Sequence, residues 1–180
     1  MSSDDDTPLA PERADLLEAV AKHRALFLVT VRGLTDDQAR ARPTVSELCL
    51  GGLVRHLAHT EAQWVRFVEE GPAAPIDWEA VDWSDPPPEV VAQVQSFQMG
   101  EEQTLAGLVA DYERAAEATD ALVRTTDLDA RQPLPEAPWF EPGASWSARR
   151  VVTHLVAEIA QHAGHADILR ESIDGQKTMG

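Results

Sequence analysis

Residues 147–172, SARRVVTHLVAEIAQHAGHADILRES, decide the fold. Val151, Leu155, Val156, Ile159, Ala163, Ala166 and Leu169 recur at helical spacing, and Ser147 after Trp146 suits the N-cap. The segment therefore predicts a long amphipathic helix. On a wheel with Val151 at zero, this apolar stripe covers about 0 to 140°, Glu158 falls near 340° and His162 near 20°. His154, near about 300°, and His165, near about 320°, point further out. Glu158 and His162, four residues apart, stack on one side of the helix.

Three more segments carry the same periodicity. Pro11 to Gly33 places Leu16, Leu17, Val20, Phe27, Leu28 and Val31 on one stripe, with Pro11 suited to the first turn. Gly51 to Glu70 does so with Leu53, Leu57, Trp64 and Val68, and its inward-edge histidine is His56, with His59 beside Arg55 and Arg66. Glu101 to Thr126 turns Leu105, Leu108, Tyr112, Ala115 and Leu122 inward. Thr35 to Gln38 fits a capping box and one short turn. Residues 71–100 hold five prolines and no strong period beyond a turn around Val90 to Phe97, and 127–145 form a second proline-rich connection. No segment alternates with period two, so no strand is predicted. Four long amphipathic helices make an all-α helix bundle, and two long connections argue against simple up-down-up-down order. We assign residues 1–10 to a disordered acidic tail, 11–175 to a single four-helix domain and 176–180 to a second tail.

Composition narrows the function. The chain has 180 residues, 31 acids, 15 Lys and Arg, a net charge of −16 and a pI near 4.6. That balance disfavours binding to a phosphate backbone, so no nucleic acid is expected. No apolar run is long enough to span a membrane. One cysteine, Cys49, and a polar, acidic Met1–Asp6 point to a reducing, cytoplasmic setting. From Phe67 through Glu113 there are eleven acids and no Lys, Arg or His. With Asp4 to Asp6, the acidity is thus mainly a solvated outer surface, in the tail and from the end of the second long helix into the third.

Spacing alone leaves two readings of those histidines. In one, Glu158 and His162 combine with His56 from the facing helix as an open three-ligand site for a divalent metal. In the other, His162 is a hydrogen-bonded core histidine, Glu158 pairs with Arg149 or Arg150, and His56 lies on the surface.

The runs 52–64, GLVRHLAHTEAQW, and 154–170, HLVAEIAQHAGHADILR, with Trp146-Ser-Ala-Arg149 before the second and Leu169 to Gly175 closing the chain, resemble the DinB/YfiT-like superfamily. Within it the likeness is to the branch known as mini-circle proteins. The resemblance implies a four-helix bundle of up-down-down-up order. It also implies a metal site on His56, Glu158 and His162, in which the Glu158-x-x-x-His162 pair is similar to that of mycothiol-dependent maleylpyruvate isomerase. Several relatives use low-molecular-weight thiols, so the implied function is a metal-dependent thiol S-transferase with a mycothiol-type co-substrate and a small-molecule electrophile. Zinc is the first expectation for the metal, with nickel, iron or manganese compatible with the same ligands. The alternatives are a non-catalytic metal-containing binding or stress-response module and a hydrolase using metal-bound water. Similar bundles dimerise through a helix face, so a homodimer is an expectation by analogy alone.

Other residues carry secondary expectations. His154, His165 and Trp146 are candidates for contacts behind the ligands or with substrate. Arg24 and Glu61 fall on apolar stripes, and a buried charge needs a partner, so a pair between the first two long helices is expected, against the competing view that both snorkel to water. Trp78, Trp83, Trp139 and Trp146 either wall a pocket or cap the bundle. Cys49 is read as a small apolar filler.

Overall fold

The computed structural model describes residues 9–137 and 140–178. Helix α1 spans Pro11–Val31, α2 Asp36–Arg40, α3 Leu50–Glu70, α4 Pro88–Val94, α5 Leu105–Thr125 and α6 Ala148–Asp174, with a small pair of strands, β1 Arg131–Pro133 and β2 Ser145–Ser147. Each start has a local cause. Pro11 supplies the preset φ of the first turn of α1, and Thr35 with Gln38 forms the capping box of α2. The hydroxyls of Thr104 and Ser147 accept from the backbone N–H of Gly107 and Arg150, capping α5 and α6. Cys49 performs the same task for α3: its thiol accepts from the Gly52 N–H at 3.3 Å. Its sulfur is buried and committed to a cap. Two stops use a left-handed glycine, Gly71 at φ 89° and Gly175 at φ 79°.

Side-chain pairs give the helix directions. Arg149 meets Glu12 where α6 and α1 begin, and Arg170 donates to the carbonyls of Thr30 and Arg32 where α1 ends, so these helices run parallel. Helix α3 opposes α6, because His56 faces His162 while Trp64 faces His154. Helix α5 opposes α1, since Arg13 reaches the Val123 and Thr126 carbonyls while Phe27 meets Tyr112. The order is up-down-down-up. Phe27, Leu50, Leu53, Leu57, Val123, Val151, Leu155 and Ile159 fill the centre and are essentially sealed from solvent.

The strand pair departs from the sequence reading. β1 and β2 pair antiparallel, Arg131 with Ser147 and Pro133 with Ser145. Three-residue strands that include a proline carry no alternation to detect. The ladder depends instead on the second connection folding back on itself. It is tied down by Gln132, whose amide donates to the Val68 carbonyl at the end of α3, and by the Ala148 N–H, which donates to Ala130. This hairpin carries Trp146 to the flank of α3. Among the described residues no helix is long and apolar enough to cross a membrane. The proposed acidic tail lies mostly outside the described residues, as does Trp139.

Candidate metal centre

The antiparallel crossing of α3 and α6 brings His56, Glu158 and His162 together. Each offers a ligand atom, and the three atoms lie within 4.8 Å of one another. The His56 and His162 rings meet edge to face at 4.8 Å, and His162 Nε2 lies 3.6 Å from Glu158 Oε2. Glu158 does not pair with Arg149 or Arg150. Arg149 is held by Glu12 and Asp129, and the Arg150 guanidinium sits 4.1 Å over the Trp146 ring. Nor is His56 a surface residue: Phe97 stacks on its ring at 3.8 Å.

The protonation states suit cation binding. Burial, reinforced by the neighbouring His162 and His59 imidazoles, which disfavour a further positive charge, pushes His56 down to about 4. Burial also lowers His162, opposed by Glu158 and aided by His165. Both imidazoles are therefore neutral near pH 7, the form that ligates. His56 Nδ1 is buried with no hydrogen-bond partner among the described residues, a desolvation cost that a bound cation would remove. Two neutral imidazoles and one carboxylate, with His56 Nδ1 buried and unpaired, fit a divalent ion with coordination positions left open.

A second layer stands behind the ligands. Thr60 Oγ1 lies 3.4 Å from His56 Nε2, and His165 Nδ1 lies 3.4 Å from His162 Nδ1. His154 Nε2 is 3.5 Å from Glu158 Oε1. Partners of this type fix the ring orientation of a ligating histidine. His154 in turn sits between two tryptophans, its ring 5.0 Å from Trp64 and 5.1 Å from Trp146, which themselves stack at 5.0 Å. Thr60 and Phe97 have no role in the sequence reading, and Trp64 enters it only as part of the apolar stripe of its helix. Thr60 follows His56 by four residues, a spacing that marks it; Phe97 has no such signal.

The remaining candidates separate cleanly. Arg24 and Glu61 are both buried and face each other: Arg24 Nε donates to Glu61 Oε1 at 3.0 Å and Nη2 to Oε2 at 2.5 Å. Thr119 adds a hydroxyl bond to the same carboxylate at 2.7 Å, and Asp120 accepts from Arg24 Nη1 at 2.7 Å. Burial and the Glu61 carboxylate push the neighbouring Tyr112 hydroxyl well above its usual ionisation range. This cluster is structural and belongs to α1, α3 and α5. Trp78 and Trp83 stack on each other at 6.4 Å and stay largely exposed. Trp78 nonetheless borders a hollow of about 490 Å³ whose other walls include Trp64 and Phe67.

A family model described as Mycothiol-S-transferase matches residues 15–175 of the chain. No curated protein matches it. Among solved structures, a conserved protein from Enterococcus faecalis superposes with a TM-score of 0.62 at 13% identity, covering 91% of this chain and 97% of that one. At that identity the likeness concerns the fold.

Proposed function

We propose that this chain, which belongs to the Mycothiol-S-transferase family, transfers a low-molecular-weight thiol of the mycothiol type to a small-molecule electrophile at the His56, Glu158 and His162 centre. The observation that carries this reading is the convergence of three ligand atoms from two helices beside an unpaired buried His56 Nδ1. A divalent ion held there would supply the Lewis acidity that stabilises a thiolate at neutral pH. Zinc is our assignment, with nickel, iron and manganese suited to the same mixed ligands.

The chain's own residues do the rest. Glu158 and His162 project from one face of α6, so helical spacing holds their separation, while His56 closes the set from α3. Thr60, His165 and His154 hold the three ligands in orientation. The stacked Trp64 and Trp146 flank the His154 side of the centre, and we assign the hollow walled by Trp64, Phe67 and Trp78 to the organic part of a substrate. Cys49 lies under α3 as a cap, so the nucleophilic sulfur comes from the co-substrate. In the transfer the thiol loses its proton, a carbon–sulfur bond forms and the electrophile's leaving group departs.

The single domain at 11–175, a cytoplasmic location and a homodimer are further parts of this proposal. The Glu158-x-x-x-His162 spacing supports a likeness to the maleylpyruvate isomerase site, and the chain's closing residues support the mini-circle branch. The test is S-conjugation of mycothiol to a generic alkyl halide by metal-loaded protein. Acceleration that disappears in His56→Ala supports the reading, and equal rates in the two proteins sink it.

A further inference from the structure

The proline-rich connection between α3 and α5 is not a bystander to the centre. Its segment 95–99 lies across the first turns of α3 in a manner that only glycine allows there. A Cβ on Gly52 would stand 2.0 Å from the Phe97 carbonyl oxygen, and one on Gly51 would stand 2.3 Å from the Met99 sulfur. The first obstruction is backbone, which cannot rotate aside. Arg55, one turn on, clamps the same segment by donating to the Gln95 carbonyl at 3.0 Å and the Gln98 carbonyl at 3.2 Å. Met99 and Ser96 are buried under it. The outcome of this docking is the position of Phe97, whose ring lies 3.8 Å from that of His56 at an interplanar angle of 19° and 5.7 Å from that of His162.

A histidine ring turns about the bond joining it to Cβ, a torsion whose wells are broad. The Thr60 contact at 3.4 Å restrains that rotation from one edge of the ring. A ring stacked flat on the imidazole face blocks the swing that would carry its nitrogens away from Glu158 and His162. We infer that Phe97 is a positioning residue of the centre, holding the His56 imidazole in its ligating orientation, and that Gly52 and Arg55 dock the segment that brings it there. This rests on the metal-binding reading above and adds a determinant that lies outside the ligand-bearing helices.

The experiment measures Zn²⁺ and Ni²⁺ affinity by competition with a chromophoric chelator, for wild type, Phe97→Leu, Phe97→Tyr and Gly52→Ala, with circular dichroism of each metal-free protein to establish its fold. Phe97→Leu keeps an apolar side chain and removes the flat face, and its affinity is expected to fall about 10- to 100-fold, the range for lost outer-shell partners. Phe97→Tyr restores it. Gly52→Ala lowers affinity alike, and combining it with Phe97→Leu adds nothing further, because both remove one contact. Should Gly52→Ala fail to fold, the Leu and Tyr variants decide the matter alone. Wild-type affinity in Phe97→Leu, or equal loss in Leu and Tyr, overturns the inference. Wild-type protein that takes up neither metal overturns the metal-binding reading instead.

Discussion

The buried pair between α1 and α3 offers the sharpest quantitative expectation. Glu61 has no solvent exposure and Arg24 very little, and Glu61 accepts two guanidinium bonds and one hydroxyl bond. Replacing Arg24 with Met leaves the carboxylate in the same dry site with only the Thr119 hydroxyl. Two charge-assisted bonds at about 1.5–3 kcal/mol each set a loss near 3–6 kcal/mol. That agrees with the roughly 3–5 kcal/mol observed when one member of a buried pair is removed. For a chain of this size, 4 kcal/mol corresponds to a fall of about 8–16 °C in Tm. Glu61→Leu removes the other partner and costs a similar amount, leaving Arg24 with the half-exposed Asp120 alone. The double variant Arg24→Met/Glu61→Leu is different in kind, because no buried charge remains, and it is expected to be far more stable than the sum of the single losses. Urea unfolding followed by far-UV circular dichroism reads all three. Single losses below about 1 kcal/mol, the level of an exposed pair, or additive losses in the double variant, would show that the pair is not a coupled buried one.

Two further expectations concern the centre. His165→Ala and Thr60→Val remove the atoms behind His162 and His56, so each is expected to weaken divalent-metal affinity by about 10- to 100-fold in chelator competition while the helical circular dichroism signal is unchanged. Acid sensitivity of the metal-free protein follows from His56, which burial holds at about 4 when folded. Unfolded, it titrates near about 6.5 and so binds more protons across that window. Stability is therefore full above about pH 6.5 and declines as pH falls towards about 4, by no more than about 3 kcal/mol from this group. His162 and His154, also lowered by burial, act in the same direction. Urea midpoints between pH 7.5 and 4 check this, and a flat profile in the wild type and in His56→Asn alike contradicts it.

What was legible in the sequence was what helical periodicity encodes. Glu158 and His162 share a face because they are four residues apart, and Arg24 and Glu61 stood out because charges on an apolar stripe demand an explanation. The caps at Thr35 and Ser147 were readable for the same local reason. Contacts set by how segments cross were not. Trp64 reads as one more core residue of α3, yet its ring meets Trp146 from a hairpin made of three-residue strands. Phe97 sits in a proline-rich connection without period, and its place over His56 depends on two glycines whose small size is meaningful only once another backbone is seen against them. Asp120 lies on the solvated side of α5, and nothing local marks it as a partner of Arg24. His165 is placed away from the core by its wheel angle, but being three residues from His162 is enough for their rings to meet.

We propose above that His56, Glu158 and His162 hold a divalent ion open to a thiol. Cobalt(II) substitution tests it most directly, because a sulfur ligand on that ion gives a charge-transfer absorption that nitrogen and oxygen ligands do not. Stoichiometric cobalt uptake, followed by appearance of that band on adding mycothiol and absence of both in His56→Ala and His162→Ala, is the expected result. Cobalt bound equally by wild type and the ligand variants, or bound with no spectral response to mycothiol, would contradict the claim.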